Sequence, residues 1–195
     1  MVSNILKHWK TVRMHRKWVR HYCFLAGIPW RGITHDLSKY SPIEFFESAR
    51  HYDGQRSPIE VAKETQGYSR AWLHHRGRNS HHWTYWTDNY SEGLTTYLMP
   101  EKDFVEMVCD FLAAAKAYNP HSVFLFDKEL DWWNKEKVAG CNAMHPKNKA
   151  MLDIILNAFA EAENPQIYNL EPAMIKSPEQ MIKEGFIQKV YREIK

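Results

Sequence analysis

The chain has 195 residues, 44% of them hydrophobic and 25% charged, with a formal net charge of +3. That fits one domain with a core of its own, or at most two very small ones. It excludes disorder as the main state, and 8 Gly and 9 Pro exclude a fibrous repeat. A charge of +3 is too small to argue for nucleic acid by itself, and no run of about 18 apolar residues is present to cross a bilayer. The first residues lack the apolar core of a secretion signal. Three cysteines (Cys23, Cys109, Cys141) without a CxxC pattern fit a reducing, cytoplasmic setting.

In chain order, the pattern predicts helix after helix. The first runs from about Ser3 to Ala26, with Ile5, Trp9, Val12, Val19, Cys23 and Ala26 at helical spacing and Gly27-Ile28-Pro29 ending it. Ser41-Pro42-Ile43-Glu44, Ser57-Pro58-Ile59-Glu60 and Ser177-Pro178-Glu179-Gln180 each read as a capping box with Pro at the first helical position. Further helices are predicted near 41–51, 57–76, 101–118, 123–138, 146–163 and 178–194. The loops carry Asp53-Gly54, Gly93, Asn119-Pro120 and Asn164-Pro165. Strand-type alternation is scarce, so the expectation is an all-α protein that is not a simple up-down bundle: a domain over 1–165, then an appended helical extension over 166–195.

The 11 histidines are unevenly spread. His15 falls three residues after Val12 and four before Val19, on the apolar stripe of the first helix, with His8 on the same face and His21 off it. A core-facing ring must be hydrogen-bonded or bound to something, and alone His15 reads as a satisfied core histidine. His35-Asp36 follows, between Ile33 and Leu37, with Lys39 three residues after the Asp. A carboxylate can bridge two metal ions while an imidazole terminates one, yet a lone His-Asp pair is a weak signal.

His74-His75 and His81-His82 put four histidines within nine residues. They form either a site or a solvated turn, with Arg76, Arg78 and Asn79 favouring the turn and Trp72, Trp83 and Trp86 favouring packing. His75 and His82 share a face if the helix continues past Gly77. In the mostly apolar helix that follows, Glu106 and Asp110 are neighbours one turn apart. Two buried carboxylates call for a cation, either a metal or a basic side chain.

Taken together, His15, His35-Asp36, a His-rich segment and Asp110 resemble the HD-domain superfamily, an all-α group named for its H…HD…D ligand set. The similarity covers roughly residues 8 to 118 and is closest to a branch of small, uncharacterised bacterial and phage domains. It implies that His15, His35, Asp36 and Asp110 hold one divalent ion, with Asp36 bridging to a second held by His75 and His82. His74 and His81 are the substitutes for these two. The extra histidines of two-metal members usually lie farther apart than here. The ion would be Mn, Fe, Ni, Co, Mg or Zn.

The resemblance further implies a phosphohydrolase in which a metal-activated water attacks a nucleotide or other small phosphate ester. Asp36 and Lys39 would act at the reacting centre, and Lys39, Arg76, Arg78 and His81 would bind the substrate, with Trp83 or Tyr85 able to stack on a base. Lys39 has a structural alternative, an ion pair with Glu44 or Glu47, and Glu106 is expected to orient a ligand rather than be one. A di-iron oxygenase on the same ligand set is the runner-up. A nucleic-acid-binding protein is a third reading. It rests on Lys7, Lys10, Arg13, Arg16, Lys17 and Arg20 interleaved with Trp9 and Trp18, a run more simply explained as a solvated helix face. No membrane partner is expected, and the sequence leaves the oligomeric state open.

Overall fold

A computed structural model describes residues 2–54, 56–90, 93–118, 126–139, 143–167 and 176–195. Among the described residues the protein is all-α apart from one hairpin. The helices are α1 (Val2–Leu25), α2 (Pro29–Thr34), α3 (Pro42–Arg50), α4 (Pro58–Gln66), α5 (Arg70–Arg76), α6 (Glu101–Tyr118), α7 (Phe126–Ala139), α8 (Pro146–Glu163), α9 (Pro178–Lys183) and α10 (Phe186–Ile194). Short 3-10 turns cover Leu37–Tyr40 and Trp83–Trp86. The hairpin pairs β1 (Thr87–Tyr90) antiparallel with β2 (Gly93–Thr96), Thr87 opposite Thr96. Strands this short show no periodicity, which is why the sequence reading put a loop there.

Two predicted helices are each split in two. The one over 57–76 stops at Gly67, whose φ of +81° is left-handed, and restarts after Ser69, whose Oγ accepts from the Trp72 amide at 3.1 Å. The one over 178–194 is broken at Gly185, also at φ +81°. Of the three expected capping boxes, Ser177 caps its helix, accepting from the Gln180 amide at 3.2 Å. Ser41 and Ser57 make no side-chain cap, although Pro42 and Pro58 do start α3 and α4. At α3 the reason is that the box's Glu44 is buried and turned toward histidines.

The core is where α1 lies along α6, with α8 and α7 behind it. Val19 and Cys23 meet Phe104, Val108 and Leu112 in one buried cluster that continues through Trp133, Leu152, Ile155 and Phe159. The expected extension does not stand apart from this core. Ile182, Ile187, Val190 and Tyr191 belong to the same cluster. The Tyr191 hydroxyl donates to the Met99 carbonyl at 2.7 Å, and Gln188 Nε2 donates to the Ala26 carbonyl at 2.6 Å. On α10, Ile187, Val190, Tyr191 and Ile194 recur at the spacing of one helical face, so the helix has a stripe to bury.

At the other end, α2 lies against α1 so closely that a Cβ on Gly32 would sit 2.7 Å from the Cys23 Cβ. This approach brings the chain after α2 back over the middle of α1. Among the described residues no helix is long and apolar enough to cross a membrane.

Candidate metal centre

His15 reaches inward from the middle of α1, and Asp110 faces it from α6, His15 Nε2 lying 2.9 Å from Asp110 Oδ1. Between them the chain leaving α2 turns sharply at Asp36, which has φ +52°, the one positive value at a non-glycine among the described residues. Arg16 clamps this turn to α1, donating from Nε to the His35 carbonyl at 2.8 Å and from Nη2 to the Ile33 carbonyl at 2.9 Å. His75 lies in the last turn of α5, and the loop beyond it brings His81 and His82 to Asp36 as well.

Asp36 is the centre of the arrangement. Its Oδ2 lies 3.3 Å from His35 Nε2 and 3.9 Å from His15 Nε2. Its Oδ1 lies 3.3 Å from His75 Nε2 and 3.4 Å from His81 Nε2. His15, His35, Asp36 and Asp110 each offer a ligand atom within 4.8 Å of the others, and so do Asp36, His75, His81 and His82. The two groups share one carboxylate. Nε2 of His15, His35, His81 and His82 and Asp36 Oδ1 are shut off from solvent with no well-formed hydrogen bond, and Asp36 Oδ2 is equally buried with the Lys39 ammonium 2.6 Å away. Buried polar atoms are rarely left unpaired, and a set converging on one point fits cations between them. Imidazole and carboxylate without thiolate suit Mn, Fe, Co, Ni or Zn.

The far sides of the rings are held by two carboxylates. Glu106 Oε1 is 2.8 Å from His35 Nδ1 and 3.3 Å from His81 Nδ1. Its Oε2 accepts from Arg31 Nη1 at 2.8 Å, which also donates to Asp103 Oδ1 at 2.7 Å. Glu44 Oε2 is 2.8 Å from His75 Nδ1 and accepts from Ser38 Oγ at 3.2 Å, while its Oε1 meets His74 Nδ1 at 2.5 Å. A carboxylate on Nδ1 keeps the proton there and turns the Nε2 lone pair toward Asp36.

Charge balance within the cluster is tight. Burial by itself would raise Asp36, but His35, Lys39 and His75 around it hold it well below the usual carboxylate range. Burial likewise opposes the ionised form of Glu106, yet hydrogen bonds from His35 and His81 bring it down to about 2. Burial, with His81 and His75 beside it, pushes His82 well below the ordinary histidine value. A ring kept neutral is a ring able to ligate.

The expected site residues separate clearly. His15, His35, Asp36, His75, His82 and Asp110 converge. His81, expected on the substrate or as a substitute ligand, lies with the ligand atoms, whereas His74, the other substitute, turns away to Glu44. Lys39 reaches the cluster itself, its Nζ lying 2.6 Å from Asp36 Oδ2. Glu44 holds His74 and His75, and Glu47 Oε1 accepts from Ser69 Oγ at 3.0 Å and the Arg70 amide at 2.9 Å.

Arg76 and Arg78 are exposed, and Arg78 meets only the end of α5, its amide donating to the His75 carbonyl at 3.1 Å and its Nη1 to the His74 carbonyl at 3.5 Å among the described residues. Trp83 packs on the core, and Tyr85 is exposed beside Trp86. On the basic face of α1, Arg13 lies 4.5 Å over the Trp9 ring, and Arg16 is occupied by the carbonyls of His35 and Ile33. Glu44, Arg31, Asp103 and Ser38 were missed by the sequence reading. Glu44 was the legible one, as the acidic residue six positions after Ser38, but it was read as a cap.

Beside the cluster a cavity of about 380 Å³ opens, with His15, Asp110 and Lys39 on one wall.

Fold and site define a helical protein with a buried His-carboxylate constellation gathered about one aspartate. Residues 4–158 match a family of unknown function, DUF5662, and the chain belongs to that family. No curated protein and no solved structure matches the chain.

Proposed function

We propose that this protein is an HD-type, metal-dependent phosphohydrolase acting on a nucleotide or other small phosphate ester. The observation that carries the reading is the shared Asp36: Oδ2 faces His15 and His35, Oδ1 faces His75 and His81, and both oxygens are buried, Oδ1 without a hydrogen bond. His15, His35 and Asp110 would hold one divalent ion and His75, His81 and His82 a second, with Asp36 offered to both. When bound, such ions bring a coordinated water toward neutral pKa and polarise a phosphoryl oxygen.

The chain's own residues supply the rest. Glu106 and Glu44 hold His35, His81 and His75 in the tautomer that ligates. Lys39 offers an ammonium beside Asp36, where it neutralises charge on a transferring phosphoryl group. Nothing supports a phosphate-binding role for Arg76 or Arg78. A cytoplasmic setting goes with this reading, supported by Cys23 and Cys109, which are buried and unbridged; Cys141 lies outside the described residues.

The test begins with elemental analysis of purified protein. A screen of phosphomonoesters, phosphodiesters and nucleoside triphosphates follows, with Mn, Co, Ni, Mg and Fe added in turn. Bound metal with turnover supports the reading, and bound metal without turnover under any of the five overturns it. One feature favours a second reading, oxygen activation on the same ligands: the adjoining cavity is walled mostly by apolar side chains. Oxygen consumption by an iron-loaded sample would select it.

A further inference from the structure

The cavity next to the cluster is built by α1, α6 and α7, with Ser48 of α3 and the start of α4 completing it. From α1 come His8, Val12 and His15, from α6 Asp110, Phe111 and Ala114, and from α7 Glu129 and Trp132; Pro58 and Ile59 close it. The wall nearest Asp36 carries the candidate ligands His15 and Asp110 together with Lys39. The remainder is largely apolar, and Phe111 and Trp132 meet edge-on, their ring centres 5.2 Å apart. At about 380 Å³ the volume falls in the range of small-ligand pockets.

Besides the hydroxyls of Thr11, Ser48 and Ser57, two ionisable side chains away from the cluster line this wall, His8 and Glu129, and neither is paired among the described residues. His8 is 6% exposed, contacts the rings of Phe45 and Tyr52, and leaves its buried Nδ1 without a hydrogen bond. Glu129 has no hydrogen bond or ion pair among the described residues. Burial disfavours the charged form of each group. Burial, helped by Lys39, brings His8 down to about 4, and burial, helped by Asp110, pushes Glu129 up to about 8. A neutral imidazole and a protonated carboxyl each offer one donor and one acceptor. They suit a hydroxyl or carbonyl, not an anion. Among the described residues Lys39 is the one lysine or arginine lining the cavity. A second phosphate would therefore meet Glu129 and Asp110 rather than a positive charge.

We propose that this cavity holds the organic body of the substrate and selects a phosphate monoester of a neutral, ring-sized, largely apolar alcohol or phenol, with His8 and Glu129 reading one hydroxyl or carbonyl on it. The assignment rests on the phosphohydrolase reading for the phosphate only; the pocket's preference for a neutral body stands on the cavity itself. Polyphosphates and esters of small polar alcohols are poor substrates on this account. Burying one ring in an apolar wall is worth about ten-fold or more in affinity.

The test is calorimetric titration of the metal-loaded protein with four non-hydrolysable probes: methylphosphonate, benzylphosphonate, 4-hydroxybenzylphosphonate and methylenediphosphonate. Benzylphosphonate is expected to bind about ten-fold or more tighter than methylphosphonate, the 4-hydroxyl to add to this, and methylenediphosphonate to gain nothing. Ala114→Phe, which fills the cavity, should reduce the ring preference to under about two-fold. Ile59→Trp does the same from the facing wall if Ala114→Phe misfolds. Glu129→Leu should erase the gain from the 4-hydroxyl, and Glu129→Gln, which keeps a donor and an acceptor, should retain it.

The two readings fail differently. If no phosphonate binds but 4-hydroxybenzyl alcohol does, in an Ala114-dependent way, the phosphate reading falls and the pocket assignment stands. If all phosphonates bind alike and neither cavity-filling variant alters them, the pocket assignment is overturned and the phosphate reading survives. If no probe binds, both are overturned.

Discussion

His35 Nδ1 and Glu106 Oε1 lie 2.8 Å apart, joining a residue at the end of α2 to one in the middle of α6. The pair fixes the ring so that Nε2 faces Asp36 and Asp110. Glu106→Gln keeps the shape and removes the charge, so metal affinity should fall by about ten- to a hundred-fold without vanishing. Competition with a chelator measures this. A loss as complete as that of Asp110→Ala would make Glu106 a ligand instead.

Asp36→Ala removes both oxygens that the two groups share. The expected result is loss of all bound metal by elemental analysis, with helical content by circular dichroism kept, because Asp36 lies between helices. Asp36→Asn retains a side chain that tolerates the left-handed backbone and should be the more stable of the two variants.

Gly32→Ala tests the approach of α2 to α1. The new Cβ would sit 2.7 Å from the Cys23 Cβ and 3.0 Å from the Arg20 Cα, so something must move. Overpacking of this kind costs about 1–3 kcal/mol. Because α2 leads directly into His35 and Asp36, weaker metal binding should accompany the lower Tm.

Glu129 gives a pH signature. Its folded pKa of about 8 lies above the ordinary value of 4.5, through burial and then the nearby Asp110. The folded state therefore keeps a proton that the unfolded chain releases. The stabilisation is fully present below about pH 4.5 and is lost as pH rises through 8. Thermal melts of metal-free protein from pH 5 to 9 should show this decline, and Glu129→Gln should flatten it. An unchanged slope in the variant would assign the decline to another group.

Removing residues 176–195 should expose the surfaces that Ile182, Ile187, Val190 and Tyr191 now cover. The expected outcome is aggregation or a large drop in Tm, even though the family similarity ends at residue 158. A truncated chain with unchanged Tm would make these helices an independent extension after all.

Much of this was readable in the amino-acid order. Val12, His15 and Val19 showed the inward face of α1, and Asp110 followed from its place in an apolar helix. What escaped depended on distance or on backbone. Glu44 looked like a cap because Ser41 precedes it by three positions, but its partner His75 is 31 residues away. Local capping chemistry lost to a buried imidazole. The grouping of His81 with His75 needed α5 to end at Arg76 and the chain to turn back, which no helical wheel contains. The break at Gly67 depends on a left-handed residue that a continuous apolar pattern hides.

The left-handed turn at Asp36 has a consequence for transplanting the motif. Successive residues on an unbroken helix point about 100° apart, so a His-Asp pair moved onto one would aim at two different places. Here the reversal of backbone hand between them lets consecutive side chains converge. The portable unit is therefore the whole strap from Arg31 to Lys39, with the Arg16 clamp that holds it down, and a graft carrying the dipeptide alone should arrive without its aim.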